Sequence, residues 1–254
     1  MLAEIIPADI FATFMVFVRL GAAIMVLPAF GEIFIPVNIR LALALTLTLA
    51  LAPVVVPLIP VMPSTPLGLF LLVAGEVLIG VLIGAVGRLT VTALHISGTI
   101  IAFQSSLAFA LTMDPAQGLQ GALIASFFSL LGLTLIFALD IHLVMIRGIH
   151  DSYEIFAPGQ VPLTGDMAEM ALDLVAASFK LGVQMAAPFI IYGVVLYTGI
   201  GLLARLMPAL PFFFVIMPLQ LYMAFFVLAI TVSGIMLWFM THFEQNITQF
   251  LIAK

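Results

Sequence analysis

Few side chains in this sequence could do chemistry, and most of them stand alone in apolar surroundings. Glu76 lies within a run of leucine, valine, isoleucine and glycine. An ionised carboxylate there is costly unless a cation or water meets it. It therefore reads either as a proton or ion site or as one half of a buried pair. Arg19 poses the same problem in the first apolar run, between Val18 and Leu20; the sequence alone leaves open whether the two meet. His95, His142, His150 and His242 are too scattered for a metal site, and no His-Glu-x-x-His pattern occurs. Ser97 is preceded by Ile96, so the Gly-x-Ser-x-Gly elbow of hydrolases is missing. No phosphate-cradling loop occurs, and without cysteine there is no thiol catalysis, disulfide or iron–sulfur ligation. The reading is no enzyme, no cofactor and no metal.

Helical geometry says where the two charges point. At about 100° per residue, Glu76, Gly80, Gly84 and Gly87 share one face, and glycines let a neighbouring backbone approach closely. That face is expected against another helix, with Glu76 inside protein. Arg19 shares a small-residue face with Ala12, Ala22 and Ala23, which points it into a bundle as well.

The elements that must hold these groups are apolar helices. Hydrophobic residues make up 65% of the 254, charged residues 7%, and mean hydropathy is +1.36. Soluble domains carry about a quarter charged residues, so the solvent here must be lipid or other protein. The fold class is all-α, an integral membrane bundle of six or seven apolar helices of about 20 residues. The net charge of −5 argues against nucleic acid. We expect the first run to be a retained helix rather than a signal peptide, since Glu4 and Asp9 precede it and no cleavage pattern follows.

Apolar runs fall at residues 10–30, 41–59, 67–87, 122–146, 174–203 and 211–240, with a more polar one at 89–111. Pro53, Pro57, Pro60, Pro63 and Pro66 should end the second. Arg88 and Arg205 suggest cytoplasmic ends, and the acidic insert 147–173 the other side. That insert ends in an amphipathic helix from Asp166. The run at 89–111 carries Thr90, Thr92, His95, Ser97, Thr99, Gln104, Ser105 and Ser106, too polar for lipid all round. It ends at the turn signal Asp114-Pro115, with Gly118 and Gly121 beyond. Irregular backbone at membrane depth is tolerated only when buried in protein or lining a cavity, so Gln104–Gly121 reads as a re-entrant segment or plug, against a plain inter-helix loop.

In order and spacing the chain resembles the FliR family, the flagellar type III secretion export-gate proteins and their injectisome counterparts, over nearly its full length. The matching residues are Arg19, Pro28, Pro36 and Arg40; Glu76, Gly80 and Gly84; Gly98 through Gln104 to Asp114-Pro115; His142, Ser152 and Pro158; and Gly199-Ile200-Gly201-Leu202-Leu203-Ala204-Arg205-Leu206-Met207-Pro208. Two departures stand out. The family commonly has a glycine shortly after the glutamine, where this chain has Ser105 and Ser106. Many members read Asn-Val-Phe after the Arg205–Pro208 motif, where this chain has Pro211 and three phenylalanines.

The resemblance implies a non-catalytic gate subunit in the bacterial inner membrane, within the flagellar basal body. Its partners would be two smaller unlike membrane subunits, each in several copies, other membrane proteins of the export apparatus, and exported unfolded polypeptides. It further implies an N-terminal part, 1–173, and a C-terminal hairpin, 174–254, with Arg205 and Pro208 near its tip. The loop that plugs the closed pore in the family maps to about Leu107–Gly121, with Phe109, Leu111 and Met113 as sealing groups and Gly118 and Gly121 as hinges. The rivals are a stand-alone ion or solute transporter coupled through Glu76 and a passive scaffold.

Overall fold

Every backbone N–H and C=O at membrane depth needs an internal partner, which a helix supplies along its own length. A computed structural model describes residues 8–107, 123–159, 164–207 and 212–251. Among them are eight α-helices and no strand: α1 Ala8–Val26, α2 Val37–Val55, α3 Pro66–Gln104, α4 Leu123–Ala138, α5 Ile141–Ile155, α6 Thr164–Met185, α7 Ala187–Leu206 and α8 Phe212–Leu251. Five are long and apolar enough to cross a membrane, or six spans if α4 and α5 count as one bent pair. The chain is a membrane helical bundle.

Helix ends follow local chemistry. Pro36 sits at the N-cap of α2, where its missing N–H costs nothing. Pro53 is tolerated in the last turn of α2, and the chain then tightens into a 3-10 turn, Val56–Leu58, before turning extended at Ile59. Pro188 lies in the first turn of α7 and separates it from α6. The run expected at 174–203 is thus two helices, the first of which begins within the acidic insert. The run expected at 122–146 is also divided: Asp140 takes a left-handed conformation (φ 57°) and α5 leaves α4 at 75°. Aspartate is among the residues that tolerate this conformation.

Where two spans were expected, at 67–87 and 89–111, a single helix of 39 residues runs through Arg88. The polar residues do not break it because their hydroxyls bond back along it: Thr90 to Val86 O at 2.9 Å, Ser97 to Leu94 O at 2.9 Å and Thr99 to His95 O at 2.8 Å. Arg88 meets Glu32, so its position in mid-helix is no marker of a span end. Helix α8 runs to Leu251, past the expected end near 240, because Phe239, Phe243 and Ile247 continue its buried stripe at helical spacing.

By contacts the chain forms two units. One takes in the described residues of Met1–Thr90, Ile136–Val175 and Phe243–Lys254. Its core has Met15, Val16, Leu20 and Ile24 of α1, Ile79 and Ile83 of α3, and Met145 and Ile149 of α5. The other takes in those of Val91–Leu135 and Ala176–His242. Buried there are Leu94 and Ile101 of α3, Ala125 and Phe128 of α4, Phe189 of α7 and Phe239 of α8.

Candidate functional site: two buried polar centres

Between apolar helices in lipid, hydrophobic gain is small, so close packing and satisfied polar pairs decide which faces meet. In the first unit the small-residue face of α3 lies on α1. A Cβ on Gly80 would meet the Arg19 carbonyl and, at 2.8 Å, the Ala22 Cβ; one on Gly84 would meet Val26 Cγ1 at 2.9 Å; one on Gly87 would meet Pro28 Cδ at 2.8 Å. This approach sets Glu76, one turn before Gly80, against Arg19.

The Arg19 guanidinium spends every N–H. Nε donates to Glu76 Oε2 at 2.6 Å and Nη2 to Glu76 Oε1 at 3.1 Å, a two-pronged carboxylate contact. Nη1 donates to the Ser152 carbonyl at 3.1 Å and its hydroxyl oxygen at 3.4 Å, and Nη2 also donates to the Phe156 carbonyl at 3.0 Å. Arg19 thereby caps the C-terminal end of α5, adding to the Phe156 N–H that the Ser152 carbonyl already accepts, at an end where the helix dipole favours a cation. The Tyr153 ring lies 4.0 Å beneath the guanidinium carbon, an added cation–π attraction. Arg19 is 0% and Glu76 1% exposed.

This centre joins three helices and is closed. A coupling carboxylate must exchange its proton or ion with water, whereas both Glu76 oxygens are held by one guanidinium. The arrangement is a buried clamp, and it gives the transporter reading no support.

The second centre lies in the other unit, where α3 ends. The Ser105 N–H still bonds to Ile101 O at 2.9 Å, and Ser106 then turns left-handed (φ 59°). The exposed carbonyls of that helix end need donors. Gln220 of α8, 2% exposed, supplies one: Nε2 donates to Gln104 O at 2.8 Å. Nε2 also donates to Tyr197 Oη at 2.8 Å, and Oε1 accepts the Ser106 hydroxyl at 2.5 Å. Tyr192 donates to the Gln220 carbonyl at 3.0 Å. On α7, between those tyrosines, Gly193 admits the Gln104 side chain; a Cβ there would come within 2.9 Å of Gln104 Cδ.

Of the residues singled out in the sequence, Arg19, Glu76, Gly80, Gly84 and Gly87 come together in the first centre, and Gln104 joins the second. Leu107 is half-buried, just past it. Arg205 is exposed in the last turn of α7, where a cation suits the helix dipole. Phe109, Leu111, Met113, Asp114, Pro115, Gly118, Gly121 and Pro208 lie outside the described residues. Gln220, Tyr192, Tyr197 and Tyr153 were not anticipated. Gln220 is the sort of amide, alone in an apolar run, that must find a partner.

Sequence comparison with known proteins covers almost the whole chain. Residues 10–246 match the family described as bacterial export proteins, family 1. The flagellar biosynthetic protein FliR of Caulobacter vibrioides is 42% identical over 231 residues, 91% of this chain and 92% of that protein. The chain belongs to the FliR family. The protein of the same name from Bacillus subtilis is 28% identical over 89% of this chain and 88% of its own length. That from Aquifex aeolicus is 27% identical over 89% and 87%. Both centres fall within the matched range, so they are properties of a FliR-family chain.

Proposed function

We propose that this protein is a non-catalytic subunit of the flagellar type III secretion export gate, forming part of the polypeptide channel and plugging it when closed. It acts in the bacterial inner membrane within the flagellar basal body. Two smaller unlike membrane subunits, in several copies each, complete the channel, and unfolded export substrates pass through it. Family membership and the names of the relatives support the flagellar export role.

The observation that carries the plug reading is the pinning of the α3 end by Gln220. A segment that must stop a pore needs a fixed root, and residues 107–121 follow directly from that root. Phe109, Leu111 and Met113 then act as the seal, because a narrow apolar constriction excludes ions by dewetting. Gly118 and Gly121 serve as the return hinges after the Asp114-Pro115 turn. Residues 174–254 act as the partner-facing hairpin, with Arg205 and Pro208 at its tip.

Deleting residues 109–113 from the gate in cells tests this. The gate should still co-purify with its unlike subunits while ion leak through resting cells rises. An assembled gate that leaks no more than the parent would leave these residues a passive connection.

A further inference from the structure

We propose that the turn joining α1 and α2 is a phospholipid anchor: Ile33 and Phe34 enter the acyl layer, and the Arg40 guanidinium binds the headgroup phosphate of an anionic lipid. The Ile35 N–H bonds to the Glu32 carbonyl at 3.0 Å, which puts Ile33 and Phe34 at the corners of a turn, 93% and 67% exposed. Turn corners ordinarily take glycine, proline, asparagine, aspartate or serine, so two large apolar side chains there call for an apolar medium. The turn is held at both ends: the Glu32 carboxylate meets Arg88, and Arg40 Nε donates to the Ile35 carbonyl at 3.1 Å. Among the described residues no group takes the two terminal nitrogens of Arg40. They lie in the first turn of α2, where the helix dipole adds to their positive field.

Lipid ends at this level. Helices α1 and α2 have 19 residues each, about 28 Å and close to one hydrocarbon thickness, and the turn joins them at one end. Beside them, α3 presents Phe70, Leu71, Leu78 and Val81 outward before this level, then Arg88, Thr92 and His95. The helix runs on unbroken; what changes is the medium it faces. Asn246 of α8 donates to Thr90 Oγ1 at 3.4 Å, and its neighbours Glu244, Gln245 and Gln249 are exposed. An apolar tip backed by an arginine, where outward side chains turn polar, has the composition of a membrane-interface anchor.

Because the chain has no cysteine, a nitroxide can be placed singly through Ile33→Cys, with Glu244→Cys as the comparison. The full chain is reconstituted in mixed vesicles of phosphatidylcholine and phosphatidylglycerol. The label at 33 should collide with oxygen several-fold more often than with a water-soluble nickel chelate, and the label at 244 should show the reverse. Nickel access at 33 equal to that at 244 would overturn the anchor. So would an immobilised label at 33 that neither agent reaches, which would assign the turn to a protein partner. By native mass spectrometry, Arg40→Gln should weaken retention of phosphatidylglycerol relative to phosphatidylcholine about fivefold, the factor expected of one basic side chain at an anionic surface. Arg147→Gln, whose guanidinium already faces Asp151 at 3.4 Å, should keep the parental ratio. An unchanged ratio in Arg40→Gln would overturn the phosphate site. The labelled chains keep Arg40, so their result stands whether or not Arg40→Gln folds.

Discussion

Arg19 Nε and Glu76 Oε2, on helices α1 and α3, lie 2.6 Å apart with neither residue more than 1% exposed. The pair works as a clamp because α5 completes it: the Ser152 and Phe156 carbonyls take the N–H groups that Glu76 leaves. A buried ion pair contributes little net stability against an apolar replacement, yet losing one partner strands the other.

Glu76→Gln and Arg19→Met should therefore each cost about 3–5 kcal/mol of stability in the detergent-solubilised chain. The double variant Arg19→Met with Glu76→Leu should recover part of the loss. It should still fall short by about 1–3 kcal/mol, because the Phe156 carbonyl loses its donor, whereas the Ser152 carbonyl keeps the Phe156 N–H. Thermal unfolding followed by size-exclusion chromatography reads the order. A double variant as weak as the worse single one would contradict the clamp.

The helix contact that creates the pair gives a second expectation. Gly80→Ala drives a methyl into the Arg19 backbone and should lower the unfolding midpoint sharply, with a loss of about 2 kcal/mol or more. Gly75, on the same helix, has nothing within 4 Å of a built Cβ. There alanine should be neutral or stabilising by up to about 1 kcal/mol, from helix propensity alone. Equal losses at both positions would mean that propensity, not close approach, governs α3.

How far the sequence foretold this depends on what each residue must satisfy. The face shared by Glu76, Gly80, Gly84 and Gly87 was legible because carboxylate burial and glycine spacing both follow from helical periodicity. The partner of Glu76 was not, since pairing across 57 positions depends on which helices pack. The break expected near Arg88 does not occur because hydroxyls at Thr90, Ser97 and Thr99 are satisfied within the helix, which composition cannot distinguish from a wet face. Gln220 escaped notice because its flanks look uniformly apolar. Asking which isolated amides need acceptors would have found it.

Ser106 gives a third expectation. Its left-handed backbone costs a non-glycine residue about 1–2 kcal/mol, while its hydroxyl bond to Gln220 returns about 1. Ser106→Gly relieves the first and loses the second, so stability should change by about 1 kcal/mol or less. Ser106→Ala keeps the strain without the bond and should lose about 1 kcal/mol. Thermal midpoints that put alanine above glycine would show that the conformation is not strained.

The longest helices lead to the last expectation. At about 1.5 Å per residue, the 39 residues of α3 extend about 58 Å, roughly twice the thickness of a bilayer's hydrocarbon. Confinement within the hydrocarbon would need a tilt of about 60°, beyond the usual range of 0–40°. Part of α3 must therefore lie outside lipid, in water or against other subunits, even though outward side chains near both ends are apolar: Phe70 is 67% exposed and Phe103 67%. The cysteine-free chain allows single spin labels to be walked along the outward face of α3 in membranes. Contact with a lipid-soluble relaxation agent should extend over no more than about 20–25 consecutive residues. Lipid contact from Phe70 through Phe103 would require the helix to lie nearly flat in the membrane and would overturn this expectation.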